Sequence, residues 1–386
     1  MIDVSELLLL TKEKNASDLH LSAGIPPTLR IHGTLEKVSN ELLSKEDMHT
    51  MLYDVLSDEN RARFEENKEL DFSIELSGVG RFRVNAFYQR RGEGASFRLI
   101  PEVIKSIADL GLPPIVEKLA HIERGLVLVT GPTGSGKSTT LASMIDIINV
   151  ERYQHIITIE DPIEFVHQAK NCLVNQREIG FHTKSFTAAL RSALREDPDV
   201  ILVGEMRDLE TISMALTAAE TGHVVFATLH TNSAPQTIDR IVDVFPPHQQ
   251  SQIRAQLSDS LQGVVSQTLI PVMDGRGRVC AAEVMVASSA IRNLIREGKT
   301  HQMPSIIQTS ARDGMQSMDQ TLRNLVMQRK ISPDDALRFA IDKSGFERSH
   351  PAPAGMSTGA GAPSKYGQPQ QRPVGEPPRG IGQRFY

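Results

Sequence analysis

Cysteine is scarce in this chain of 386 residues, which contains only Cys172 and Cys280. The two are far apart and neither belongs to a C-x-x-C pair, so they provide neither a disulfide framework nor a cysteine-based zinc site. We expect both to be small residues of a hydrophobic core.

Long apolar runs are also missing. No segment approaches the roughly 20 consecutive apolar residues that are needed to span a bilayer. The run LLLL at 7–10 lies among charged residues and lacks the basic start and the small-residue cleavage site of a secretion signal. We therefore expect a cytoplasmic protein.

The chain also lacks a large excess of charge of one sign, since its formal net charge is only −5 at pH 7. Nucleic-acid binding depends largely on basic surface, so no nucleic-acid partner is expected, although a local basic stripe remains open. The length and the 40% hydrophobic content are typical of a globular protein with two or more domains.

Changes of pattern divide the chain into four parts. Residues 1–100 combine a short helix pattern with alternating strand-like segments, which predicts a small α+β domain. Prolines at both ends of residues 101–113 indicate an interdomain linker. Residues 114–345 alternate apolar strands with helical stretches, a pattern typical of an α/β fold with a mostly parallel sheet. Residues 346–386 are rich in proline, glycine and glutamine, and we expect them to form a disordered tail.

A phosphate-binding pattern, G-x-x-x-x-G-K-[ST], follows the strand-like run GLVLVT and precedes a helix-compatible segment. In that context the backbone N–H groups of a glycine-rich loop point into a concavity at a helix N-terminus, which suits phosphate oxygens. Lys137 would reach the β- and γ-phosphates of ATP, and Ser138 would bind Mg²⁺. The loop comprises Gly131, Pro132, Thr133, Gly134, Ser135, Gly136, Lys137, Ser138 and Thr139.

Acidic residues follow two further apolar strands. Glu205 ends the strand in DPDVILVGEM, where a Walker-B acid would hold Mg²⁺ directly or through water. The segment TIEDPIEF carries Glu160, Asp161 and Glu164 around a proline turn. Clustered carboxylates repel one another unless a cation relieves the repulsion, so one of the three is a candidate for the base that orients an attacking water.

Histidines flank the strand VVFATLH, with His223 just before it and His230 at its end. Either imidazole could sense a γ-phosphate by hydrogen bonding. A single histidine at the end of a strand is also commonly structural, and the residues alone leave both interpretations open.

Four motifs, in this order, resemble the Walker A, Asp-box, Walker B and His-box motifs of the secretion ATPases: GPTGSGKSTT, TIEDPIEF, ILVGEMRDLET and TAAETGHVVFATLHTNSA. Members of that superfamily power type II and type IV secretion and type IV pili. Further segments resemble, more narrowly, the retraction ATPases of type IV pili: SDLHLSAG, RFRVNAF, NQRE and AIRNLIRE. The resemblance covers residues 1–345, and it implies a PAS-like N-terminal domain, a RecA-like P-loop NTPase core and a ring-shaped homohexamer with nucleotide between subunits.

The resemblance also implies roles for individual residues. It makes Glu164 the catalytic glutamate in preference to Glu160, Glu205 the Walker-B glutamate, and His223 and His230 the His-box histidines. Together with Lys137, the residues Glu164, Glu205 and His230 form the predicted catalytic set.

Arginines of the N-terminal domain are candidates to supply positive charge to the nucleotide of a neighbouring subunit, as the resemblance implies. A phosphoryl-transfer enzyme commonly needs such a charge at the γ-phosphate. The candidates are Arg81, Arg83 and Arg98, of which Arg81 and Arg83 share one face of a strand at period two. A solvated strand face is the alternative.

The segment AIRNLIRE is the part that the resemblance assigns to retraction rather than to hydrolysis. From the residues alone it is an amphipathic helix with Ile291, Leu294 and Ile295 on one face, and with Arg292 and Arg296 together on another. A surface helix is compatible with a partner contact. The segment comprises Ala290, Ile291, Arg292, Asn293, Leu294, Ile295, Arg296 and Glu297.

The function that the resemblance implies is that of a hexameric ATP-hydrolysing motor for pilus retraction and twitching motility, held at the inner membrane by the platform protein of the pilus. Assembly and type II secretion relatives carry a four-cysteine zinc element, and its absence here favours retraction. Three alternatives remain: an accessory retraction paralogue, which is also a candidate partner; a RecA-like nucleic-acid translocase; and a nucleotide-dependent regulatory subunit with little turnover.

Overall fold

The structure is a computed structural model that describes residues 3–31, 33–101, 103–275, 277–344 and 346. The predicted disordered tail lies outside these residues except for its first position, Phe346. That side chain is only 1% exposed and packs in a small apolar cluster with residues of the preceding helices, so the predicted tail boundary falls on a buried residue.

Helices and strands alternate along the described chain. The α-helices have these bounds: α1 (Val4–Glu13), α2 (Lys45–Asp54), α3 (Asp58–Asn67), α4 (Ile115–Ala120), α5 (Lys137–Glu151), α6 (Phe186–Ala193), α7 (Leu209–Glu220), α8 (Ala234–Asp243), α9 (Pro247–Ser260), α10 (Ser289–Glu297), α11 (Met303–Thr309), α12 (Met318–Met327) and α13 (Pro333–Phe339). The strands have these bounds: β1 (Asp18–Ser22), β2 (Thr28–Ile31), β3 (Thr34–Lys37), β4 (Glu69–Leu76), β5 (Gly80–Gln89), β6 (Gly92–Ile100), β7 (Gly125–Thr130), β8 (His155–Glu160), β9 (Leu173–Glu178), β10 (Val200–Val203), β11 (Val224–Leu229), β12 (Leu261–Pro271) and β13 (Arg278–Val286).

The N-terminal sheet is antiparallel and, within the described residues, has the strand order β3-β2-β1-β6-β5-β4. Side chains of a strand point alternately to the two faces of a sheet, and β5 shows this in its burial. Phe82 and Val84 face the core beneath α1 to α3, whereas Arg81 and Arg83 lie on the open face. Arg98 of β6 is the register partner of Arg83, so the three candidate arginines share that open face.

The second sheet is mostly parallel and, within the described residues, has the order β13-β12-β7-β11-β10-β8-β9. Strand β13 alone among these pairs antiparallel, at the edge beside β12. Every residue of β7, β10 and β11 is buried, because helices cover both faces of the sheet. The predicted fold class, an α/β core preceded by a smaller α+β domain, is confirmed.

The segment that connects the two sheets packs on the second one. Ile107 and Leu112 are buried in the cluster that contains the α5 residues Leu141 and Ile145. The Ser143 hydroxyl of α5 donates a hydrogen bond of 2.6 Å to the carbonyl oxygen of Lys105. The predicted linker is therefore fixed to the helix that follows the phosphate loop.

Both cysteines are buried, as predicted, with Cys172 and Cys280 in the same apolar cluster on one side of the parallel sheet. None of the helices in the described part of the chain is long and apolar enough to cross a membrane.

Candidate nucleotide site

A cavity of about 290 Å³ lies at the carboxyl edge of the parallel sheet. The segments after β7, β8, β10 and β11 meet there because the carboxyl ends of parallel strands share one edge of a sheet. Nine of the predicted site residues line the cavity, and all but Gly134 have polar or charged side chains. They are Thr133, Gly134, Lys137, Ser138, Glu160, Asp161, Glu164, Glu205 and His230.

Glycine conformation shapes the phosphate loop. Gly136 has φ 89° and forms the N-cap of α5, and Gly131 has φ 141°. A Cβ atom at Gly131 would lie 2.2 Å from the carbonyl oxygen of Gln267 on β12, so no larger residue fits there. The glycines therefore let the loop backbone pass close to β12 and enter α5, and N–H groups at a helix N-terminus are suited to bind an anion.

Lys137 is the first residue of α5, and its side chain folds back over the loop. Its Nζ donates hydrogen bonds to the carbonyl oxygens of Gly131 at 3.0 Å and Pro132 at 3.2 Å. Burial lowers the pKa of Lys137, and the charge of Glu205 acts in the opposite direction. The ammonium group is held where the phosphates of a nucleotide would lie.

Two hydroxyls of the loop fit a phosphate and its metal. The Oγ of Ser135 is buried and, among the described residues, has no hydrogen-bond partner. A buried hydroxyl without a partner carries a desolvation cost that a phosphate oxygen would relieve. Ser138 lines the cavity together with the carboxylate of Glu205, and such oxygen donors suit Mg²⁺.

Gln267 of β12 fixes the loop from the neighbouring strand, and sequence reasoning missed it. Its Oε1 accepts a hydrogen bond of 2.9 Å from the Thr140 hydroxyl, and its Nε2 donates one of 2.7 Å to the carbonyl oxygen of Ser135. The side chain is buried, so these partners have no access to bulk water. The amide thus holds both the loop and the first turn of α5.

We expect Gln267→Leu to lower the free energy of unfolding by about 1–3 kcal/mol, because it leaves a buried carbonyl and a buried hydroxyl without partners. The looser loop should also raise the KM for ATP. Thermal unfolding and steady-state ATPase kinetics measure the two effects. Gln252→Leu, at an exposed position of α9, is the matched control. Equal effects of both variants would contradict the role of Gln267.

Glu205 lies between the side chains of Arg207 and His230. Arg207 donates to its Oε2 at 2.7 Å, and His230 Nε2 lies 3.1 Å from its Oε1. Burial acts to raise the pKa of Glu205, but the hydrogen bond from Arg207 and the charge of His230 outweigh it, and the pKa is lowered. The carboxylate is therefore ionised at neutral pH. Arg207, two residues beyond Glu205 in the same motif, was not predicted as part of the site.

The two glutamates of the Asp box have different environments. Glu160 ends β8 and accepts hydrogen bonds from the Thr158 hydroxyl at 2.6 Å, from Gln176 Nε2 at 3.2 Å and from the N–H of Glu164 at 3.4 Å. Burial raises its pKa. Glu164 is exposed on the turn that follows, and among the described residues its carboxylate has no hydrogen-bond or ion-pair partner. Glu160 thus anchors the turn, whereas Glu164 is available to a water molecule.

The two predicted histidines lie at opposite ends of β11. His230 lies beside Glu205 in the cavity. His223 precedes β11, and its carbonyl oxygen accepts from the N–H of Gly125, the first residue of β7. The phosphate loop follows the other end of β7, so His223 lies at the opposite edge of the sheet and does not reach the loop of its own chain.

The three candidate arginines do not line the cavity. Arg98 Nε donates to Asp18 Oδ1 at 2.8 Å, and Arg81 lies 3.7 Å from Glu178 of β9. Arg83 makes no ion pair with any residue that the structure describes. A role for these arginines at a nucleotide therefore requires the site of another subunit.

Helix α10 contains AIRNLIRE and has the predicted apolar face, with Ile291, Leu294 and Ile295 buried. Arg292 and Arg296 lie together on another face, as predicted; Arg292 is half-buried and Arg296 is exposed, and both contact the end of α9. Arg292 donates to the last carbonyl oxygens of α9 and to Gln262, and Arg296 donates to the Ser258 hydroxyl. Positive charge is favourable at a helix C-terminus, so the arginines hold the end of α9. Ala290, Asn293 and Glu297 are left exposed.

Comparison with known proteins gives consistent matches. The family model described as type II/IV secretion system protein matches residues 4–338. The type IV pilus retraction ATPase PilT of Pseudomonas aeruginosa is 56% identical over 345 residues, which cover 89% of this chain and 100% of that protein. The type IV pilus ATPase PilU of the same organism is 43% identical over 339 residues, covering 88% and 89%. A crystal structure of the pilus retraction motor PilT with bound ADP has a TM-score of 0.85 at 51% identity, covering 90% of this chain and 100% of that one.

Proposed function

This chain belongs to the type II/IV secretion system protein family, and from that membership we propose that it is the ATP-hydrolysing motor of type IV pilus retraction. The observation that carries the proposal is the convergence of Lys137, Glu205 and Glu164 in one cavity behind a glycine-shaped phosphate loop. The similarity to a retraction ATPase over that relative's full length, and to a retraction motor that binds ADP, supports it.

The proposed reaction converts ATP and water into ADP and phosphate. The loop amides and Lys137 hold the phosphates, while Ser138 and Glu205 would hold Mg²⁺, which supplies charge neutralisation at the phosphate oxygens. Glu164 orients a water molecule and accepts its proton as the water oxygen bonds to the γ-phosphorus. The bond from that phosphorus to the bridging oxygen breaks, and ADP leaves with the electron pair. His230, beside Glu205, is placed to respond to the γ-phosphate.

The assembly is part of the proposal. We infer a cytoplasmic homohexamer with nucleotide between subunits, in which Arg83 or Arg98 of one N-terminal domain faces the site of the next chain. In this proposal, closure of the N-terminal domain onto the next subunit couples the ATPase cycle to movement. The proposed partners are the inner-membrane platform protein at the pilus base and a paralogous retraction ATPase.

The accessory paralogue is the alternative that a specific observation favours, because PilU is also similar to this chain over most of its length. The identity to PilT is higher, 56% against 43%, and this favours the main motor. A nucleic-acid translocase would be recognised by DNA-stimulated hydrolysis that falls steeply with salt. A regulatory subunit would bind ATP without appreciable turnover.

Deletion of the gene in its own host tests the proposed function. A retraction motor is required to remove pili, so we expect excess surface pili together with loss of twitching motility. Cells without pili would indicate an assembly role instead. Normal pili with normal twitching would overturn the proposal.

The exposed side of α10 provides a test of the partner contact. We expect the double variant Asn293→Ala, Glu297→Ala to keep wild-type phosphate release and to abolish twitching, because these side chains reach solvent and not the cavity. Arg292→Ala is the contrasting variant. It should cost about 1–3 kcal/mol of unfolding free energy, because it leaves carbonyl oxygens of α9 without their donor. Normal twitching in the double variant would contradict the contact.

A further inference from the structure

Glu178 is a buried acid that the proposed mechanism does not use. It is the last residue of β9 and is only 5% exposed. One of its oxygens, Oε2, accepts a hydrogen bond of 3.3 Å from the N–H of Ile163 and lies 3.7 Å from the Arg81 guanidinium. A carboxylate that is removed from water is costly unless it is paired and hydrogen-bonded, so both contacts matter to its stability.

The two partners of Glu178 belong to different parts of the molecule. Ile163 directly precedes Glu164 in the turn of the Asp box. Arg81 lies on β5 of the N-terminal sheet, where it also donates to the Ser73 hydroxyl at 3.1 Å. A single oxygen atom therefore contacts both the turn that carries the catalytic glutamate and the N-terminal domain.

The surroundings of Glu178 are firmly held. Its N–H donates to His182 Nδ1 at 3.0 Å, and the N–H of Ile179 donates to the carbonyl oxygen of Glu160 at 2.9 Å. The Arg63 guanidinium of α3 lies 5.9 Å from the centroid of the Phe181 ring, which gives a second contact between the N-terminal domain and the segment around the end of β9. These backbone contacts fix Glu178 to the parallel-sheet core. Its contact with Arg81 is the one that a movement of the N-terminal domain would change.

We propose that Glu178 is a positioning residue that makes the placement of Glu164 depend on the docking of Arg81 from the same chain. The inference rests on the proposed function and adds a form of regulation to that site. When the N-terminal domain moves away, Glu178 loses its counter-charge, and the turn that it holds through Ile163 must rearrange to let the carboxylate reach water. Arg81 then acts within its own subunit and not on the neighbour's nucleotide.

The expected effect is on the rate of the chemical step. Glu178→Gln keeps an oxygen acceptor for Ile163 but removes the charge that attracts Arg81. Misplacement of a catalytic group by about 1 Å can cost on the order of a hundredfold, so we expect kcat to fall about ten- to a hundredfold while ATP affinity is kept. Arg81→Gln should produce the same loss, and Arg81→Lys should recover part of the rate because it restores the charge.

The test is a double-mutant cycle on purified full-length protein, with kcat and KM from phosphate release and ATP affinity from equilibrium binding. The combined Arg81→Gln, Glu178→Gln variant should be no slower than either single variant, because both remove one interaction. Glu196→Gln is the matched control, since it breaks the 3.0 Å ion pair with Arg177 of the same strand without touching the N-terminal domain. It should leave kcat unchanged.

Several results would overturn the inference. If Arg81→Gln abolished turnover while Glu178→Gln left it intact, Arg81 would act elsewhere, as a charge supplied to a neighbouring subunit would. Additive losses, or a loss confined to ATP affinity, would also contradict it. If Glu178→Gln fails to fold, rings mixed from Arg81→Gln and Glu164→Gln chains still decide, because an arginine that acts on the neighbour's site would restore turnover in the mixture, whereas one that acts within its own chain would not. Failure of the proposed function is seen separately, as a wild-type protein without ATPase activity.

Discussion

Replacing Lys137 with alanine is expected to abolish ATP turnover. The lysine ammonium lies at the phosphate loop, bonded to the carbonyl oxygens of Gly131 and Pro132. Loss of one preorganised donor at a developing negative charge costs about 10²–10³ in kcat, and here the lost group also carries a full positive charge. Phosphate release by the purified variant, at saturating ATP and magnesium, measures the effect.

The control for this variant is Lys184→Ala, which removes an exposed lysine that does not line the cavity. It should hydrolyse ATP at the wild-type rate. Wild-type turnover by Lys137→Ala would show that the nucleotide is bound elsewhere, and the site assignment would be wrong.

The second large effect is expected from Glu164→Gln. A side chain that orients water and accepts its proton contributes about 10²–10⁴ in rate, so kcat should fall by that factor. ATP affinity should be kept, because Glu164 does not hold the phosphates in the proposed mechanism. Single-turnover phosphate release and equilibrium nucleotide binding separate the two quantities.

Glu160→Gln is the informative comparison. Glu160 accepts three hydrogen bonds with its two oxygens, and glutamine has only one acceptor oxygen, so its replacement should loosen the Asp-box turn and reduce stability. Its effect on kcat should be smaller than that of Glu164→Gln. The reverse order, with Glu160→Gln the slower enzyme, would transfer the catalytic role to Glu160.

Much of the site was predictable because its residues come at the ends of parallel strands. The run GLVLVT and its glycine loop, the acids after β8 and Glu205 after β10 each carry a local pattern. Parallel strands place these ends along one edge, so the convergence follows from strand direction. The same argument explains His223: it precedes its strand, and the start of a parallel strand lies at the opposite edge.

The parts that were missed depend on contacts between distant segments. Gln267 has no motif, and its role arises because β12 is the neighbour of β7, an order that no local pattern encodes. Arg292 and Arg296 share a face by their spacing, but the spacing does not show that α9 ends against that face, where Arg292 donates to a carbonyl oxygen and Arg296 to the Ser258 hydroxyl. Helical periodicity identified the apolar side of α10 but not the polar neighbour on the other side.

Strand β12 contacts both helix α10 and the phosphate loop, which are far apart in the sequence. Gln262, near its start, accepts a hydrogen bond from Arg292, and Gln267 holds the phosphate loop. At about 3.3 Å per residue, the two glutamines are roughly 17 Å apart along one extended backbone. From Gly263 onward that backbone pairs with β7 on one side and with β13 on the other, after a register shift against β7 between Leu261 and Gly263. The helix that bears AIRNLIRE and the triphosphate pocket are therefore connected through a single strand paired on both sides, which is a direct structural path from one to the other.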